Sequence, residues 1–180
     1  MSPGPVPLQV PPPEPRPDTV LCRLGIPADL PAFEVMLRRY LLEQRKDGSP
    51  VRVTKKTVDF YRELADSYLR GSLFGGLVLA EEGGQLAGFV LGGEDTGGGS
   101  RLDTDLGRVL IVWAIWVEKT HRKVGTALTM LRFAQLKSLE LGFEVAVMSV
   151  REENKQGLAL VRAMGVQPVE RIFTFRFVGA

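Results

Sequence analysis

Arg122-Lys123-Val124-Gly125-Thr126-Ala127 is the turn around which the rest of the chain is arranged. Before it runs Val109-Leu110-Ile111-Val112-Trp113-Ala114-Ile115-Trp116-Val117, an uninterrupted apolar segment of strand character. After it, apolar residues recur by threes and fours at Val124, Ala127, Leu128, Leu131, Ala134 and Leu141, which predicts a helix. A strand that passes through small residues into a helix leaves unpaired N–H groups at the helix start. The helix dipole makes that point attractive to anions, phosphate above all. Gly125 lets backbone approach a ligand closely, Thr126 and Ala127 add little bulk, and Arg122 and Lys123 bring positive charge.

A second motif follows in the same frame. Phe143 to Val150 alternates as a strand, and Asn154 opens a short helix through Leu158, Leu160 and Val161. Met164-Gly165-Val166 closes that helix, and Phe173, Phe175 and Phe177 alternate with Thr174 and Arg176 in a half-buried final strand over 168–178. The order strand, Arg-x-x-Gly-x-Ala, helix, strand, Asn, helix, Gly-aliphatic, strand resembles the GNAT acetyltransferase superfamily. The likeness is close over the C-terminal part of the chain and holds in outline from 19 to 92.

The resemblance implies a mixed α/β (α+β) fold with a mostly antiparallel central sheet flanked by helices. Two of its strands are splayed to admit acetyl-coenzyme A (acetyl-CoA). It implies an N-acetyltransferase moving an acetyl group to a primary amine, of a small molecule or of a protein, within a ternary complex. The backbone of Lys123, Val124, Gly125, Thr126 and Ala127 would meet the coenzyme's pyrophosphate, with Arg122 supplying charge. The backbone of Ile115, Trp116 and Val117 would meet the pantetheine arm. Asn154 would hydrogen-bond that arm or fix its own loop.

Acetyl transfer needs both reactants in line, the amine desolvated and the developing oxyanion steadied. It also needs a proton removed from an ammonium group. Here the chain departs from the family. Val161 stands where many members carry Tyr, and 109–117 contains no acid. Glu118 is the first choice of base because it follows the strand directly; His121, Asp105 and Glu152 are the other candidates, and water is a further acceptor. The same departures support an alternative, a non-catalytic module on this fold that binds an acyl-CoA or a protein.

The remainder of the chain frames this region. With 44% hydrophobic and 24% charged residues and a net charge of +2, the 180-residue chain has an ordinary globular composition. Nothing in it calls for nucleic acid. One cysteine, Cys22, excludes an intrachain disulfide and a cysteine-cluster metal site, and reads as a small core residue of a first strand over 19–24. No metal is expected. There is no apolar run long enough to span a membrane and no basic-then-apolar leader pattern, so the expected location is cytoplasmic.

Residues 1–18 hold eight prolines and read as a disordered tail ahead of a single domain over 19–180. Two helices are predicted, one starting near Asp29 with Leu30, Phe33, Leu37, Tyr40 and Leu41 on its face, the other capped by Thr54 and stopped by Gly71. Strands over 77–81 and 85–91 flank Glu82-Gly83-Gly84, a hairpin signal. From 92 to 107 six glycines mix with Glu94, Asp95, Asp103 and Asp105; this stretch is expected to be a mobile glycine-rich linker beside the ligand cleft, its acids attracting a cationic amine. The basic residues Arg45, Lys46, Arg52, Lys55 and Lys56 would favour an acidic substrate instead. Period-two alternation sets Trp113 and Trp116 on opposite faces of their strand, and that region or a strand edge is where a homodimer would form.

Overall fold

The apolar run folds as β4 (Val109–Val117), and the sheet extends from it on both sides. The computed structural model describes residues 20–46, 53–73, 75–94, 108–122 and 125–165. On one side β3 (Gln85–Glu94) pairs antiparallel with β4, β2 (Gly75–Glu82) with β3, and β1 (Leu21–Leu24) with β2. On the other side β5 (Val145–Met148) runs parallel to β4. The sheet is therefore mixed and mostly antiparallel, ordered β1-β2-β3-β4-β5. The β2–β3 hairpin closes on Gly83 and Gly84 at φ 59° and 77°, the paired positive angles of a tight turn that follows strand twist.

Helices cover both faces. A 3-10 turn at Pro27–Asp29 leads into α1 (Leu30–Lys46), and α2 (Lys55–Leu69) begins on the Thr54 side chain, which accepts from Thr57 N. These two pack Phe33, Leu37, Leu41, Val58, Ala65 and Tyr68 against Leu77, Leu79, Phe89 and Leu91. Phe33 meets Phe89 edge-on at 5.0 Å, a favourable aromatic geometry within that core. On the opposite face α3 (Thr126–Glu140) lays Met130 and Leu131 on Val78, Val90 and Val117, and α4 (Lys155–Ala163) adds Leu160 at the margin. Cys22 is half-buried on this second face, where burial pushes its thiol pKa up.

Two expectations are corrected. Trp113 and Trp116 do not lie on opposite faces: both join the core under α1 and α2, while Val112 and Ile115 face α3. The cause is a bulge. Leu91 pairs with Ala114 but Gly92 pairs with Val112, so Trp113 is an extra residue that period-two counting cannot see. Trp116 is only 6% exposed and so is not offered to a second copy.

Secondly, Gly92 and Gly93 are not loop; they belong to β3, which runs to Glu94. A Cβ on Gly93 would fall 2.1 Å from the Tyr68 ring, so the missing side chain is the space that Tyr68 of α2 occupies. The tail over 1–18, Asp95, Asp103, Asp105, and the closing strand over 168–178 all lie outside the described residues.

Candidate active site

Parallel pairing between β4 and β5 covers only Val109 to Val112 against Val145 to Met148. β4 continues for five residues beyond, from the bulge at Trp113 to Val117, with no described strand on that side. The two strands thus open a gap whose head is at Val112 and Met148. Glu118 N donates to Ala87 O at 2.7 Å, which turns that amide towards β3. Strand alternation then turns the backbone N–H and C=O of Val117 and Ile115 the other way, into the gap. Trp116 backbone faces β3, and its contribution is the indole, whose Nε1 donates to Glu43 at 3.0 Å.

At the far end of β4 the chain makes a 3-10 turn at Lys119–His121 and reaches α3 through Gly125. Gly125 has φ 116° and ψ −25°, a conformation that side chains resist. Where α2 and α4 begin on the side chains of Thr54 and Asn154, no side chain caps α3, and its first turn carries no acid. The first bond back to the cap is Thr129 N to Gly125 O at 2.7 Å, so the N–H groups of Thr126, Ala127 and Leu128 have no partner within the helix. The Thr126 hydroxyl donates to His121 O at 3.1 Å and is thereby turned back into the protein. Lys123 and Val124 lie outside the described residues.

Arg122 is bound inside the protein. Nη1 and Nη2 donate to the two carboxylate oxygens of Glu43 at 2.5 Å each, and Nε donates to Val117 O at 2.9 Å. The Arg122 guanidinium holds the Glu43 carboxyl below its ordinary value of 4.5, against burial, which acts in the other direction. The stabilisation from this pair is full above that ordinary value and is lost as pH falls through the lowered one. His121 Nδ1 sits 2.8 Å from Glu82, a buried carboxylate at the end of β2.

Glu118 is also engaged, accepting from Arg39 Nη1 at 2.5 Å and from Lys119 N at 3.3 Å. At roughly 3.3 Å per strand residue it lies about 16 Å from Trp113, at the turn end of the gap rather than its head. Asn154 Oδ1 accepts from Gly157 N at 2.8 Å, capping α4 and fixing the local loop. Glu94 is held by Arg108 at 2.9 Å and 3.2 Å, which leaves it paired and not presented to a cation. Glu43 is the residue sequence reasoning missed. Its partner Arg122 is 79 positions away, and nothing local marks it. Among the described residues no cluster of His, Cys, Asp or Glu is placed to hold a metal, and no helix is long and apolar enough to cross a membrane.

A gap bordered by outward-facing strand amides, ending on an uncapped helix start beside a glycine, suits a long amide-containing chain with an anionic end. The family model for the acetyltransferase (GNAT) family matches residues 39–166, and the chain belongs to that family. It is an N-acetyltransferase with acetyl-CoA as donor. Among curated proteins, none matches the chain in sequence. Solved structures share the fold at low identity. AAC(6')-Iy, in complex with the bisubstrate analog CoA-S-monomethyl-acetylneamine, is 15% identical with TM-score 0.68, covering 89% of this chain and 99% of that one. The ribosomal-protein-alanine N-acetyltransferase from Brucella melitensis biovar Abortus 2308 is 23% identical with TM-score 0.60, covering 88% and 100%. A predicted acetyltransferase with acetyl-CoA from Clostridium acetobutylicum is 17% identical with TM-score 0.64, covering 88% and 96%.

The residues present fit the donor. Amides of Gly125, Thr126 and Ala127 could meet its diphosphate, and the backbone of Ile115 and the N–H of Val117 could meet its arm. The donor supplies an activated thioester. The chain's own part would be to bind and align it, with Trp113 beside the head of the gap.

Proposed function

We propose that the acceptor is a primary amine, of a small molecule or of a protein, that attacks the thioester directly at the head of the β4–β5 gap. The observation that carries this reading is the uncapped α3 start at Gly125, reached from a strand whose open side faces the gap. The diphosphate docks on the amides of 125–127, and the arm pairs with β4 as an added strand would. The reactive end then lies near Val112 and Trp113.

Both acceptor classes occur among the structural neighbours, one named for aminoglycosides and one for a ribosomal protein alanine. What the described residues place beside the head of the gap is aromatic. Trp113 is met edge-on by Phe60 at 6.4 Å, and Phe60, 51% exposed, also meets Tyr61 at 5.3 Å. Replacing Phe60 with alanine is expected to raise KM for the acceptor amine several-fold and to leave KM for acetyl-CoA as it was. Steady-state kinetics with each substrate varied in turn measures both.

Glu118 is a poor base in this reading, since Arg39 occupies it at the wrong end of the gap. The hydroxyl nearest Trp113 belongs to Tyr68, which accepts from Trp113 Nε1 at 3.0 Å and whose pKa burial pushes up. Among the described residues neither group is fitted to take the proton, and water is the acceptor we favour.

The test is thiol release from acetyl-CoA across a panel of monoamines, polyamines, an aminoglycoside and peptides with free amino groups. Amine-dependent release supports the proposal. Donor binding without amine-dependent release for any member would contradict it.

A further inference from the structure

We propose that Glu43 is a positioning residue for donor binding, and that Arg122 serves as an internal strut rather than as a phosphate ligand. The inference rests on the donor site described above and assigns its support.

Glu43 lies near the C-terminal end of α1, on the sheet face opposite α3. Its carboxylate takes two hydrogen bonds from Arg122 and one from Trp116 Nε1, and the Arg122 Nε takes up Val117 O. One acid therefore ties together the end of β4 and Arg122, the residue that closes the 3-10 turn at Lys119–His121. The pair is well shielded, with side-chain exposures of 25% for Arg122 and 22% for Glu43.

Two-pronged, charge-assisted bonds of this kind fix orientation as well as distance. An arginine so held cannot reach an anion at the α3 start without abandoning a partially buried carboxylate, which is costly. What the donor gains is an end of β4, with the 3-10 turn that follows it, already fixed when it arrives, so that neither needs ordering on binding.

The two roles for Arg122 give opposite signs when Glu43 loses its charge. If Arg122 were a phosphate ligand competing with Glu43, Glu43→Gln would free it and tighten donor binding. If Glu43 holds the turn, Glu43→Gln weakens binding. The experiment is calorimetric titration of wild type, E43Q, R122Q and the double variant with coenzyme A, together with thermal melting and kinetics. We expect E43Q and R122Q each to weaken coenzyme A by about tenfold, or about 1.4 kcal/mol, and the double variant to lose no more than either alone. KM for acetyl-CoA should rise accordingly while KM for the amine does not.

Unchanged or tighter binding in E43Q would overturn the inference, as would a lower melting temperature with unaltered affinity. Glu43→Asp keeps the charge with a shorter reach and should fall between wild type and E43Q; it serves if E43Q does not fold, and affinity equal to wild type would count against the strut. Wild type that fails to bind coenzyme A would remove the donor site itself and this inference with it, an outcome distinct from wild type binding with E43Q unaffected.

Discussion

Gly125→Val is expected to weaken coenzyme A binding by about 100-fold or more while the protein remains folded. Gly125 has φ 116°, where a branched side chain is strained, and holding such a backbone costs about 1–3 kcal/mol. A Cβ there would meet nothing within 4 Å, so the substitution has room in the protein and little reason to disrupt the core. That same open space is where the diphosphate would sit. If the turn keeps its shape, the valine fills the anion site; if it relaxes to negative φ, the amides of Gly125, Thr126 and Ala127 swing away. Either response removes binding, because the α3 start has no side-chain cap to take over. Calorimetry gives the affinity and circular dichroism the fold. Affinity within a few-fold of wild type would place the diphosphate elsewhere.

Gly88→Ala is the second large effect, and its effect falls on stability. Gly88 pairs with Val117 in the β3–β4 ladder. A Cβ would sit 2.5 Å from Trp116 O and 3.1 Å from Val117 Cα, both backbone atoms, with Met130 Cε also at 3.1 Å. Side chains can move aside, but a carbonyl inside a paired strand cannot do so without loosening the ladder. Overpacking generally costs about 1–3 kcal/mol, and a backbone clash belongs at the upper end. For a chain of this size that is a fall in Tm of roughly 6–12 °C. Because the strain pushes on Trp116 and Val117, donor binding should weaken too. Gly76→Ala is the control, since its Cβ would find only Leu24 Cδ2 at 3.9 Å. A Gly88 variant melting with that control would contradict the packing described here.

What could be read before any coordinates was what depends on neighbours in sequence. The ends of β4 follow from an apolar run bounded by charge, the Thr54 cap from a hydroxyl four residues ahead of Val58, the first residue of a helical face, and the hairpin from Gly83-Gly84. The order of elements around Gly125 and Asn154 carried the family. The rest was set by distant partners. The bulge at Trp113 exists because β3 and β4 change register there, and no count along one strand shows it. Gly92 and Gly93 resemble a linker until the Tyr68 ring is placed over them.

The charged residues were the least legible. Arg122 and Glu118, read as site groups from their positions beside β4, are held by Glu43 and Arg39, each 79 residues away on α1. A sequence motif marks the backbone geometry that a glycine permits. It does not say which carboxylate a neighbouring arginine will find.

The most direct measurement is an amide-resolved NMR titration of the isotopically labelled protein with coenzyme A. Saturable shifts are expected at Gly125, Thr126 and Ala127, and along the open side of β4 at Ile115 and Val117, with β1 and the outer surface of α2 little affected. Absence of shifts at millimolar coenzyme A, or shifts that leave the 125–127 amides untouched, would contradict a donor site built on the start of α3.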